Sequence, residues 1–201
     1  MSFTAITDFV GEIYISNTDR KETELTEAIT KYEKEVLISA LGYELYALLI
    51  ADLDDNGIPQ TERFVSLVNG IVFTNDFYGK EYPLMWDGLK STTNQSFLAY
   101  YIFYKYVERN ATHLADVGNI SLDADSGKRV SPINMMRNAW YSMRGKYGII
   151  PVQYRGRYRL PLNVESSLIV FNNDPSIYNF LIANVDTYPE WVYNPIWGMG
   201  L

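Results

Sequence analysis

The sequence predicts a mainly α protein: a helical bundle with a small β-containing C-terminal block and an extended C-terminal arm. Three observations carry this. Leu25, Ile29, Tyr32, Val36 and Ala40 recur at steps of three and four, the period of a helix with one apolar face. The run FLAYYIFYKYV, residues 97–107, is apolar nearly all round, which suits a central buried helix. Residues 149–160, IIPVQYRGRYRL, and the short run 168–171, LIVF, have the composition of strands, and the chain then closes on YPEWVYNPIWGMGL.

Taken in order, residues 3–16 alternate loosely and predict a short strand or extended arm. Asn17, Thr18 and Asp19 offer a helix N-cap, and Glu22, Glu24 and Glu27 suit the positive end of the helix that follows. Gly42 interrupts that helix, and Leu45, Leu48 and Leu49 continue a second one. Pro59 is expected to start a short helix through Phe64, Leu67 and Val68, ended by Gly70. Residues 71–87 are rich in turn formers and aromatics and predict a loop or small hairpin. The central helix is expected from about Asp87 to Asn110, and a long exposed loop over 111–131. Ser131 and Pro132 form a cap and first-turn proline for a helix running to about Lys146, with Met136, Trp140 and Met143 on one face. A last helix is expected from Asp174–Pro175 to about Val185. The implied organisation is a helical domain over 1–148, a strand-helix extension over 149–187 and an aromatic arm over 188–201.

The 201 residues include no cysteine, which excludes disulfides, thiol catalysis and cysteine-ligated metal. No basic, then apolar, secretory leader opens the sequence, so the Asn-x-Ser/Thr triplets at Asn94, Asn110 and Asn119 read as chance, and no apolar run is long enough for a membrane span. The net charge of −7 is unevenly spread. Residues 1–60 hold 12 acids and 4 bases, whereas residues 121–160 hold 2 acids and 8 bases. Such polarity supports either head-to-tail association of copies or neutralisation within one subunit, with the two blocks close together in both cases.

Chemistry is weakly signalled. Asp52, Asp54, Asn56 and Gly57 match the first half of a calcium loop, but Arg63 stands where the bidentate glutamate belongs, so an acidic turn is the expectation. The single histidine, His113, has no glycine-framed serine to serve, and no phosphate-binding glycine loop is present. An enzyme is not expected, and neither a cofactor nor a metal is. Arg155, Arg157 and Arg159 alternate along a predicted strand and share one face, suited to acids of a neighbouring subunit or to DNA phosphates. The acidic total favours the protein contact. The 17 tyrosines suit interfaces or packing around the central helix.

The order of these features resembles a known family. An acidic helix leads into AITKYEKEVLISALGYELYALLIADL; SFLAYYIFYKYVERNAT, a loop and SPINMMRNAWYSM follow; IYNFLIANVDTYPEWVYNPIWGMGL closes the chain. This is similar to the head–tail connector, or adaptor, proteins of tailed bacteriophages, most of all those of phages infecting gut Bacteroidetes, including the crAss-like group. The landmarks are Leu41-Gly42 with Leu45-Tyr46, Trp140, and Tyr188-Pro189 with Trp191. The resemblance implies a virion neck or tail protein that forms a homo-oligomeric ring beneath a dodecameric portal. It also implies contacts with the portal and with other neck or tail proteins, with DNA only as cargo in the channel and no membrane. The strand-rich block 149–171 exceeds a minimal adaptor, which leaves open a tail-proximal collar role. An alternative from another class is a small module whose aromatic segment, Phe73 to Trp86, binds carbohydrate or another ligand through exposed tryptophans.

The closing segment is the sharpest expectation. Tyr188, Pro189 and Trp191 directly follow a helix and are expected to pack on their own subunit. The candidate partner-binding residues are Trp191, Tyr193, Ile196, Trp197, Met199 and Leu201, with Pro195 stiffening the path and Gly198 and Gly200 allowing close backbone approach.

Overall fold

A computed structural model describes residues 2–15, 19–77, 80–90, 95–116, 132–148 and 176–192. The protein is mainly helical with a small two-stranded sheet. Its first residues form no strand. They run as an extended arm with two single 3-10 turns, Ile6–Asp8 and Gly11–Ile13, and bury Phe3, Phe9 and Ile13 in the core. The loose alternation reflects anchoring rings rather than a sheet face.

Helix α1 (Asp19–Leu41) buries Leu25, Ile29, Tyr32, Val36 and Ala40, the positions that its period singled out. Gly42 ends it at φ 78°, a conformation that costs a side-chain-bearing residue strain, and α2 (Tyr43–Asp52) starts at once, burying Leu45 and Leu49. Helix α3 (Glu62–Asn69) begins after Thr61, not at Pro59. The Asp52 carboxylate accepts the backbone N–H groups of Gln60 and Thr61, and that of Asp54 accepts those of Asn56 and Ile58. These bonds hold residues 52–61 in a turn that competes with an earlier helix start, and Pro59 pairs opposite Leu53 in an isolated bridge.

Strands β1 (Ile71–Phe77) and β2 (Lys80–Trp86) form an antiparallel hairpin, with Ile71 opposite Trp86 and Val72 opposite Met85. Its base is stitched to α3. The N–H groups of Leu89 and Lys90 donate to the carbonyls of Leu67 and Val68, and a Cβ on Gly70 would come within 2.3 Å of the Trp86 carbonyl oxygen. This closure uses residues 87–90, so the central helix α4 (Phe97–Asp116) starts ten residues later than the sequence predicts. Ser96 caps it, accepting the N–H of Ala99 on its hydroxyl. Helix α4 also runs past Asn110 into the predicted loop.

Helix α4 buries every residue from Phe97 to Tyr104 and packs between α1 and α5 (Pro132–Tyr147). Met136, Trp140 and Met143 of α5 face it, and the ring of Trp140 lies 5.0 Å from that of Tyr104. The last described helix is α6 (Ile177–Ala183), two residues inside its predicted start, because the Ser176 hydroxyl provides the cap. Its Ile177, Phe180 and Leu181 belong to the same core as the helices before residue 148, and so does Tyr188. The predicted strands within 149–171 lie outside the described residues.

Candidate interaction surface

Three tyrosines of α4 point their hydroxyls at carboxylates, two on other segments and one within α4 itself. Tyr100 donates to Glu12 of the arm at 2.5 Å, Tyr101 to Glu35 of α1 at 2.5 Å, and Tyr104 to Glu108 at 3.1 Å. Burial first, then the hydrogen bond to the facing carboxylate, pushes the Tyr100 and Tyr101 phenols well above their ordinary range. This part of the tyrosine content is core chemistry: a large ring with a polar tip, each tip satisfied.

The arm ends in a second carboxylate device. Glu33 is 5 % exposed and accepts three bonds from the first residues of the arm: the N–H of Phe3 at 3.0 Å, the N–H of Thr4 at 2.8 Å and the hydroxyl of Ser2 at 2.7 Å. Sequence reasoning missed Glu33. A signal was there: Glu33 is four residues from both Ile29 and Leu37, which puts a carboxylate on the buried stripe of α1, where it needs donors.

Residues 176–192 form a strap on the opposite side of the chain's order. Phe180 stacks on Trp86 at 5.7 Å, meets Phe73 edge-on at 5.5 Å and touches the Tyr188 ring at 5.7 Å. The Tyr188 hydroxyl donates to the Arg63 carbonyl at 2.5 Å; burial pushes this phenol upward, opposed by the Arg63 charge. Arg63 in turn pairs with Glu190 at 3.2 Å. The Trp191 indole N–H donates to the Ala40 carbonyl at 3.0 Å, and Val192 lies against Gly42. Tyr188 and Trp191 thus pack on their own chain, and Trp191 commits its indole N–H there. Of the other partner-binding candidates, Tyr193, Ile196, Trp197, Met199 and Leu201 lie outside the described residues, as do Arg155, Arg157 and Arg159.

Between α3, β1 and the strap lies a cleft of about 480 Å³. Glu62, Arg63 and Ser66 form one wall, Phe180, Asn184, Thr187 and Tyr188 another, and Ile71 to Thr74 of β1 the third. Next to it the outer face of the hairpin exposes Val72 (62 %) opposite Met85 (58 %).

Other candidate chemistry finds structural uses. The Asp52 carboxyl is pushed up by burial, but the N–H groups of Thr61 and Gln60 outweigh this and hold it below its usual range. It serves the turn. Among the described residues, no group of three or more His, Asp or Glu side chains could hold a metal ion. Lys146 of the basic block reaches Asp87, outside the acidic block, at 3.8 Å, while α5 packs on the acidic arm at its second 3-10 turn. Trp86 is 2 % exposed and donates its indole N–H to the Leu67 carbonyl, and Trp140 is also buried. Neither can offer a face to a sugar, which weighs against the carbohydrate-binding alternative. No described helix is long and apolar enough to cross a membrane.

The sequence matches no protein-family model, and no curated protein and no solved structure matches it.

Proposed function

We propose that the chain is a virion structural protein, a head–tail connector (adaptor) that assembles into a ring beneath the portal. In that role it closes the DNA channel and provides the platform for the tail. One observation carries the reading. The strap is fixed to its own subunit as far as Val192, which lies against Gly42, and residues 193–201, which follow it in sequence, are aromatic and carry no charged side chain. A segment of that composition gains most by burial against another surface. The mainly helical body and the resemblance of residue order to adaptors support the same reading.

The test is negative-stain microscopy of the purified protein mixed with portal. Rings and portal-bound rings are expected, and their joint absence overturns the proposal. Deletion of residues 195–201 should leave the monomer's unfolding midpoint unchanged and reduce ring assembly. A deletion that unfolds the isolated monomer would place this segment in the core instead.

A further inference from the structure

Helix α2 shows water the wrong kind of face. A surface helix normally turns polar residues outward. Inward, α2 buries Leu45 and Leu49; outward it exposes Tyr43 (74 %), Ala47, Ile50 and Ala51, which steps of three and four place on one side. Ala47 leaves a dip between Tyr43 and Ile50, a shape that takes the ridge of another helix. The outer stripe of α5 is such a ridge. Met136, Trp140 and Met143 are buried, while Ile133 (56 %), Arg137 and Tyr141, four residues apart, are exposed.

The two regions carry opposite charge. From Tyr43 to Glu62 there are five acids and no base; from Pro132 to Tyr147 there are three bases and no acid. Bases that approach the first region from elsewhere are engaged: Lys90 donates to the Gly57 carbonyl at 3.4 Å and Arg63 pairs with Glu190. The arm brings Glu12 to α5, but that carboxylate accepts the Tyr100 hydroxyl. Among the described residues the exposed Glu44 has no ion pair, and Arg137 bonds only Asn134 of its own helix, at 3.3 Å. The two do not meet within one chain. The Tyr147 hydroxyl reaches the Ser39 carbonyl near the elbow at Gly42. Phe97, Tyr101 and Tyr104 of α4 meet Tyr147, Glu35 and Trp140 in turn, so α5, followed back to Arg137, leads away from that elbow. Arg137 lies about 15 Å along the helix from Tyr147.

We propose that the outer stripe of α5 in one copy docks on the outer face of α2 in the next, with Arg137 paired to Glu44 beside the apolar contact. Two different faces meet, so the contact is head to tail and repeats around a ring. This rests on the ring-forming reading above and names the surfaces that join its subunits. The test is a charge exchange in the full-length protein, read by sedimentation velocity and by negative-stain images with portal. E44K and R137E each turn the pair into a repulsion and should raise the half-assembly concentration about tenfold, with the monomer's unfolding midpoint unchanged. An equimolar mixture of E44K and R137E chains should assemble like the wild type, because alternating subunits restore an opposite-charge pair at each contact. A role within one chain gives no rescue by mixing. Single variants whose midpoint falls, a mixture no better than its components, or a wild-type chain that forms no oligomer with or without portal overturn the proposal. Portal-bound rings indifferent to both substitutions sink this inference and leave the adaptor reading standing; charge-dependent assembly without portal binding does the reverse.

Discussion

The arm (residues 2–15) and the strap (176–192) do the same job by different chemistry. Each crosses the helical body and closes it. The arm is held by a buried carboxylate collecting three donors, with Phe3, Phe9 and Ile13 as anchors. The strap is held by packed rings, Phe180 stacked on Trp86 and Tyr188 tilted against Phe180, finished by neutral hydrogen bonds to backbone carbonyls. A charge-based clamp is directional and fails when one group is removed, because its donors are then left unpaired in the interior. Ring packing spreads its stabilisation over many contacts and fails in proportion to the volume removed.

Four substitutions or conditions probe this contrast. The largest effect belongs to Tyr188→Ala, which empties a site only 1 % exposed and should cost about 4 kcal/mol in urea unfolding. Tyr188→Phe keeps the ring and should cost only about 1 kcal/mol. Equal losses for the two would mean that the Arg63 carbonyl bond, not packing, holds the strap.

Glu33→Ala comes next, at about 3 kcal/mol, since three donors lose one acceptor. Hydrogen exchange should show residues 2–15 losing protection while α4 keeps its own. Loss of protection everywhere at once would merge the arm with the core.

The third probe is alkaline pH. The folded-state values of Tyr100, Tyr101 and Tyr188 lie above the ordinary 10.0, so above that pH the unfolded chain binds fewer protons than the folded one. The stability held by these groups is whole below pH 10 and falls as pH rises. Tyrosinate absorbance from the buried set should appear together with unfolding, and a Tyr100→Phe/Tyr101→Phe chain should lose stability less steeply. Ionisation that precedes unfolding would show these hydroxyls to be accessible. The smallest effect is that of Arg63→Gln, within about 0.5 kcal/mol, because the Arg63–Glu190 pair is partly exposed. A loss as large as that of Tyr188→Ala would transfer the strap to the charge-based class.

What could be read from the sequence follows from how local each cause is. The apolar face of α1, the stop at Gly42 and the start of α5 at Pro132 are written within a few residues, and the structure agrees with them. The start of α4 could not be read, because residues 87–90 are drawn onto α3 by a hairpin closure that no local pattern announces. Ser96 was a usable cap signal that the longer apolar run obscured. For α3, Pro59 was the louder signal and Thr61 the operative one, since carboxylates seven to nine residues earlier, at Asp54 and Asp52, shape the turn between them. Of the candidate site, the seating of Tyr188 and Trp191 on their own chain was legible from their position directly after a helix. For Glu33 only the burial was legible, from its place on the apolar stripe of α1; its donors on Ser2, Phe3 and Thr4 stand 29 to 31 residues earlier, beyond any local pattern.

The packing of Phe180 against Trp86 and Phe73 also sets an order in time. On the ribosome the hairpin emerges long before α6, and Phe73 and Trp86 wait without the ring that covers them. Synthesis at about 5–20 residues per second makes that wait several seconds. Throughout it the nascent chain shows an uncovered aromatic face, which draws chains into premature contact. The body is sealed only after Phe180 and Tyr188 have been made, so the aromatic face of the hairpin stays uncovered until α6 has followed it out.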